Sequence, residues 1–312
     1  MSKISKTTKK SLYSIQQLDK VEVDKIMAKA KQIKKDPDNF RGIFKDKVLF
    51  SIFLANSTRT RMSTETAWLK LGGQIVSVVG KEATSIKKGE SLIHTLKVYV
   101  NNNPDCIALR TDKEGVNQYG AQNFAYVSWL NCGEGNSEHP TQSLLDLLTI
   151  QERFVDLAKL KIAFVGDIKH GRTIKSLARL LNLFGTQFSF VAPDSLHAKC
   201  EIQNLGIDYQ AYSLEDLPEI LAKNDIVYAT RPQLERMSQE DKAKYSRGVY
   251  QINSDNLGDS KCLIMHPLPI DSAVMPEIHP DLDEDARCIF FEQASNGLWA
   301  RMAIFLWLEG YC

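Results

Sequence analysis

The run Ser57-Thr58-Arg59-Thr60-Arg61 sets hydroxyl and guanidinium side chains in five consecutive positions. An apolar run, Val48-Leu49-Phe50-Ser51-Ile52-Phe53, precedes it, and the spacing of Met62, Ala67, Trp68 and Leu71 predicts a helix directly after it. A helix start presents unpaired backbone N–H groups and the positive end of the helix dipole. Ser and Thr hydroxyls beside those amides, with Arg for bidentate contact, suit a phosphate. The same residue types also build an ordinary N-cap followed by solvated arginines. Alone, the turn specifies an anion site and nothing narrower.

Other polar groups recur at positions where strands should end. Glu138-His139-Pro140-Thr141-Gln142 opens a predicted helix with proline in its first turn. At that end the dipole disfavours a cation, so His139 is expected to serve as a neutral hydrogen-bond donor able to polarise a carbonyl. Gln142, one turn on, could bond an amide from the same face. Gly166-Asp167-Ile168-Lys169-His170-Gly171-Arg172 follows a strand and opens a helix, but it lacks G-x-G-x-x-G, which argues against a nicotinamide cofactor. Thr84 to Glu90 is a polar loop with paired lysines, and Thr230 to Arg236 adds two guanidiniums after another strand. His266-Pro267-Leu268-Pro269 is a rigid loop whose carbonyls could accept from an amide or amine.

Composition bounds what these groups could serve. The 312 residues suffice for two domains, with 43% hydrophobic and 25% charged residues as in soluble globular proteins. A net charge of +1 gives no bulk attraction to nucleic acid or an anionic membrane, so the anion-binding groups must be local and the substrate small. Cys106, Cys132, Cys200, Cys262, Cys288 and Cys312 are scattered without C-x-x-C or a zinc-type histidine pattern, and are expected as free thiols. Reduced thiols, no secretory signal and no membrane-length apolar run predict a cytoplasmic protein without a membrane partner.

The elements that must position these residues alternate. Helix-like Ile15 to Lys35 precedes strand Val48–Phe53, then come a helix over Ser63–Leu71, a short buried strand Gln74–Val79 and a helix over Leu92–Val100. Strands Cys106–Arg110 and Tyr126–Asn131 follow, then a connecting helix over Pro140–Arg153. The second half repeats the pattern with strands at Lys161–Asp167, Gln187–Val191, Asp225–Thr230, Val249–Ile252 and Cys262–Met265. Helices are expected over Arg172–Phe184 and Ser195–Gly206, and a last one, Gly297–Leu308, should return to the first domain. Such alternation predicts an α/β chain of two doubly wound parallel-sheet domains joined by helices. The expected domains are 1–145 plus 295–312, and 146–294. Arg110, Asp167, Arg231 and His266 fall at strand ends, where ligands of open α/β sheets bind.

Taken together, the Ser57–Arg61, His139–Gln142, Gly166–Arg172 and His266–Pro269 motifs occur in the order seen in the aspartate/ornithine carbamoyltransferase family, which the chain resembles over nearly its whole length. The resemblance implies a carbamoyl-phosphate-binding domain and an aspartate-binding domain, an active site in the interdomain cleft, and a homotrimer with shared sites. Within the family it points to the aspartate branch of pyrimidine biosynthesis, in which carbamoyl phosphate and L-aspartate give N-carbamoyl-L-aspartate and phosphate. Carried over residue by residue, Ser57, Thr58, Arg59 and Thr60 bind the phosphate, and Arg110 contacts phosphate and carbonyl. Thr60, Arg110 and His139 polarise the carbamoyl C=O, and Gln142 holds its amide. The carbonyls of Pro267 and Leu268 accept from the carbamoyl NH2 or the incoming amine. Arg172, Arg231 and Gln233 hold the carboxylates of aspartate, while Ser85 and Lys88 reach into the neighbouring subunit's site, Lys88 toward aspartate. Neither a metal nor an organic cofactor is implied. Regulatory chains or a dihydroorotase are partners the resemblance allows.

Two positions depart from the family pattern. Ala55 stands where many members have a Glu that joins the domains through arginines matching Arg172 and Arg236, and Ile270 replaces an Arg. Both bear on closure and aspartate affinity, and Ala55→Glu is expected to lower the aspartate concentration for half-maximal rate. The rival readings are ornithine carbamoyltransferase and a non-catalytic scaffold. The ornithine branch tends to carry Cys where this chain has Thr141 and Pro267, and the intact Ser57–Arg61, Lys88, Arg110 and His139 set speaks against a scaffold.

Overall fold

A computed structural model describes residues 8–193, 196–197, 202–234, 237–240, 242, 250–271 and 276–312. The chain divides into two units, Met1–Leu148 with Asn296–Cys312, and Thr149–Ser295.

The first unit holds four strands, β1 (Val48–Phe53), β2 (Gln74–Val79), β3 (Cys106–Thr111) and β4 (Ser128–Glu134), in the order β2-β1-β3-β4 and all parallel. β1, β3 and β4 are almost wholly buried, as strands covered on both faces are. Around them lie α1 (Lys20–Lys35), α2 (Arg59–Lys70), α3 (Leu92–Asn101) and α4 (Val116–Asn123). α3 turns Leu92, Leu96 and Val100 onto one stripe, which packs with Ile52, Ile107, Leu109 and Trp129. The sequence predicts one helix from Ile15, but α1 starts only at Lys20. Asp19 accepts from Glu22 N at 2.8 Å and caps it, while Ser14 and Gln17 close a separate short turn over Ile15–Gln17.

β2 departs from expectation more instructively. It forms the sheet edge, not a buried strand, and Val76 and Val79 are each 47% exposed. An apolar run of six residues does not reveal whether a neighbour covers it. β4 also runs later than expected, and α4 is not foreseen in the sequence reading.

α5 (Pro140–Gln151) carries the chain into the second unit. There β5 (Lys161–Gly166), β6 (Gln187–Val191), β7 (Tyr209–Tyr212), β8 (Ile226–Thr230) and β9 (Leu263–Met265) form a parallel sheet in the order β7-β6-β5-β8-β9. Phe164 stacks with Phe188 and Phe190 and meets Tyr228 edge-on, one layer of this core. α6 (Arg172–Asn182) and α7 (Leu217–Lys223) belong to this unit, and α8 (Phe290–Leu308) returns the chain to the first. β7 is too short and polar to be read from sequence. The strand expected over Val249–Ile252 is reduced, in its described part, to one parallel bridge between Ile252 and Ile278. Val249, Ser195, Cys200 and Arg236 lie outside the described residues. Cys106, Cys132, Cys262, Cys288 and Cys312 are free thiols. No described helix is long and apolar enough to cross a membrane.

Candidate active site

In the first sheet β1 lies between β2 and β3, so the chain reverses its direction of winding between β1 and β3. The loops leaving such a switch point diverge and open a crevice at the carboxyl ends of the strands. The Ser57–Arg61 turn leaves β1 there, and Arg110 lies in β3 opposite Phe53, with Leu54 N donating to Arg110 O at 2.9 Å. Thr58 occupies the N-cap of α2 in a helical conformation, φ −88° and ψ −62°, and its side chain makes no capping bond. The first-turn amides of α2 therefore keep their anion-binding character, with Thr58 and Arg59 exposed above them.

Behind the turn, buried side chains form a continuous series. Thr60 Oγ1 lies 3.4 Å from His139 Nε2, and His139 Nδ1 lies 3.3 Å from Thr141 Oγ1. Arg301, from α8, donates to Thr141 Oγ1 at 3.1 Å and to Gly297 O at 3.0 Å. Burial draws the Arg301 guanidinium down to about 10, which leaves it cationic at neutral pH. Gln142 Nε2 donates to Asp146 Oδ1 at 2.9 Å. With its amide nitrogen donating to Asp146, Gln142 keeps Oε1 as an acceptor. Arg110 Nη1 donates to the carbonyl of Cys132 at 3.2 Å. Burial pushes the Cys132 thiol up to about 11, so it is a packing group and not a nucleophile. The first unit thus brings together Thr60, His139 and, through Asp146, an oriented Gln142.

The second sheet has its own switch point, between β5 and β8. Asp167, fully buried after β5, accepts from His170 N at 3.1 Å and from Gln233 N at 3.0 Å, and its Oδ1 lies 2.9 Å from His170 Nδ1. Gln233 Nε2 returns a bond to His170 O at 2.7 Å, so the loops after the two strands are tied together. Gly166, at φ 114°, makes this possible. A Cβ there would stand 2.5 Å from Thr230 O and 2.8 Å from Tyr250 Oη. Arg172 begins α6, and Arg231, after β8, donates from Nη1 to Pro232 O at 3.0 Å; both are half-buried.

After β9, Leu268 takes a left-handed φ of 55°, rare outside glycine. Its N–H donates to His266 Nδ1 at 2.8 Å, so the imidazole proton is on Nε2, which lies 3.7 Å from Glu277 Oε2. Glu277 also accepts from Asp271 N at 3.1 Å. Burial pushes its carboxyl up to about 7, partly opposed by Arg231. Pro267 and Leu268 are half-buried on this loop.

Ser85 and Lys88 lie on a short 3-10 turn, Ser85–Lys88, both exposed, while neighbouring Lys87 pairs with Glu82 at 2.6 Å. Sequence reasoning overlooked Asp146, Arg301 and Glu277. Two of these left a trace: Asp146 stands one helical turn after Gln142, and Arg301 is the sole charged residue between Gly297 and Leu308. Among the described residues no His/Cys/Asp/Glu cluster could hold a metal ion.

Two family descriptions match the chain. The carbamoyl-P binding domain of aspartate/ornithine carbamoyltransferases covers residues 10–152, and the Asp/Orn binding domain covers 158–308. The aspartate carbamoyltransferase catalytic subunit of Chromobacterium violaceum is 37% identical over 303 residues, 95% of this chain and 96% of that protein. The catalytic subunit of M. jannaschii aspartate transcarbamoylase superposes with a TM-score of 0.84 at 35% identity, covering 96% of this chain and 98% of that one. The Trypanosoma cruzi aspartate transcarbamoylase in complex with carbamoyl phosphate and aspartate gives a TM-score of 0.82 at 29% identity, covering 96% of each chain.

Proposed function

The chain belongs to the aspartate/ornithine carbamoyltransferase family, and from that premise we propose that it transfers the carbamoyl group of carbamoyl phosphate to the amine of L-aspartate, a step of pyrimidine biosynthesis. The observation that carries the reading is the buried Thr60–His139 pair, 3.4 Å apart, behind the uncapped N-terminus of α2. That arrangement supports a reading in which carbonyl donors stand beside a phosphate-binding turn.

Ser57, Thr58, Arg59 and Thr60 hold the phosphate, and Arg110 bridges it to the carbonyl. The aspartate amine attacks the carbamoyl carbon, and the carbonyl oxygen becomes an oxyanion. Thr60, Arg110 and His139 donate to it, each worth on the order of 3 kcal/mol as in other oxyanion holes. The C–O bond to phosphate then breaks, and the leaving phosphate takes the amine proton. Gln142 Oε1 and the carbonyls of Pro267 and Leu268 accept from the carbamoyl NH2. Arg172, Arg231 and Gln233 receive the two carboxylates, and bringing both reactants into attack geometry supplies much of the remaining rate. None of these steps calls for a side-chain nucleophile.

The aspartate branch is supported by the names of the relatives and by the two half-buried arginines, which suit a second carboxylate and not an ornithine ammonium. A colorimetric carbamoyl assay with aspartate and ornithine in parallel decides it. Product with aspartate alone is expected; product with ornithine would move the chain to the other branch, and none with either would leave a scaffold.

The same reading includes a homotrimer in which Ser85 and Lys88 of each copy serve the neighbour's site. It is supported by apolar side chains left exposed on α2, Met62 and Leu69, and on the edge strand, Val76 and Val79, each between 47% and 59% exposed. Mixing inactive Arg59→Ala with inactive Lys88→Ala subunits should restore activity through sites with both residues intact. No recovery after exchange would refute shared sites.

A further inference from the structure

The hydrogen bonds behind His139 bear on the ring's protonation as well as its position. A guanidinium can only donate. Arg301 gives one hydrogen to Thr141 Oγ1 at 3.1 Å and another to Gly297 O at 3.0 Å. Thr141 is fully buried, so leaving its own hydroxyl hydrogen without an acceptor would be destabilising. His139 Nδ1, 3.3 Å away, supplies that acceptor. Nδ1 then presents its lone pair to Thr141, and the imidazole proton sits on Nε2, the nitrogen 3.4 Å from Thr60 Oγ1.

The other two states of the ring fit the surroundings less well. With the proton on Nδ1, the Thr141 hydrogen would lose its acceptor and Nε2 would turn a lone pair toward a carbonyl oxygen. With both nitrogens protonated, a second cation would stand one hydroxyl away from Arg301, in a region of low dielectric.

We propose that Thr141 and Arg301 are positioning residues that fix His139 as the Nε2–H tautomer, so that the ring donates to the carbamoyl carbonyl. The proposal rests on the carbamoyl-transfer reading and names what makes His139 a donor within it. Arg301 also lies within Coulombic reach of Asp146, the residue that turns the Gln142 amide. One buried cation thus stands behind both His139 and Gln142, two of the side chains expected to contact the carbamoyl group.

Nitrogen-15 NMR of histidine-labelled protein without substrate tests this, with the His139 signals assigned by their loss in His139→Gln. The expected spectrum has a pyridine-like Nδ1 and a pyrrole-like Nε2 at neutral pH. A proton on Nδ1, or on both nitrogens, would overturn the proposal whatever any variant does. Thr141→Val removes the hydroxyl and keeps the shape. It should raise the Nδ1–H population and lower kcat about tenfold, the scale of one hydrogen bond to developing charge, with the aspartate KM changed less than about twofold. Thr141→Ser should restore both spectrum and kcat. A Thr141→Val enzyme with wild-type kcat, or one that loses kcat with an unchanged His139 spectrum, would also overturn it. Wild-type turnover with aspartate is measured on the same samples. Its absence would refute the proposed function, while the tautomer would still be read from the spectrum.

Discussion

Thr60, His139, Thr141 and Arg301 in the first unit hold one another side chain to side chain, ending on a buried guanidinium. In the second unit Asp167 and His266 are held chiefly through backbone amides, those of His170, Gln233 and Leu268. The difference follows the chemistry each half is proposed to serve. Polarising a carbonyl needs donors whose hydrogens point one way, because stabilisation is realised only at the position the oxyanion takes. A series of side chains fixes both place and proton. Receiving carboxylates needs loops of settled shape from which long arginines extend, and backbone bonds supply that. The first half should therefore lose rate when a side chain changes, and the second should lose aspartate affinity or stability.

The sharpest test of that contrast is Arg110→Ala. Loss of a charged donor to the carbonyl and phosphate should reduce kcat about 10³-fold, while the aspartate KM moves little. Steady-state kinetics with each substrate varied in turn will show it, and a defect confined to the aspartate KM would break the comparison. Next in size is Glu277. Its folded-state carboxyl titrates at about 7, above the ordinary value of 4.5, because burial disfavours its charge. The folded state therefore binds this proton more tightly than the unfolded state, and stability falls as pH rises between those values, by about 3 kcal/mol for a shift of that size. Below the unfolded value both states are protonated and the penalty disappears. Glu277→Gln should match wild type in thermal melts near pH 4 and exceed it progressively up to pH 8; a constant difference would refute the assignment. Smallest of these three is the effect of Asp167→Asn. It leaves one acceptor for the three donors that now converge on the carboxylate, and should raise the aspartate KM about thirtyfold with the carbamoyl phosphate KM unchanged. A matching rise in both would show that the two halves are not held independently.

How much of this was readable depended on sequence distance. The Ser57–Arg61 turn was legible because its physics is local: a strand end, a helix start and the residues between them. Gln142 and Asp146 were equally local, four residues apart on one helix face, and the pairing was open to the same reasoning. The link from Thr141 to Arg301 spans 160 residues, and nothing near either residue announces the other. The bond from Gln233 N to Asp167 spans 66 and depends on β5 and β8 being neighbours. The apolar run of β2 reads as a buried strand, and nothing in it says whether another element covers it.

The sequence by itself determined the alternation of strands and helices, the anion-binding turn and the residue types at each strand end, since all of these follow from bonds and periodicities a few residues long. Only the tertiary structure decided that Arg301 stands behind His139, that Asp167 ties two loops together and that β2 is an edge. Those facts depend on which strands lie side by side and where a returning helix lands, and the free energy that settles such packing is summed over the whole core.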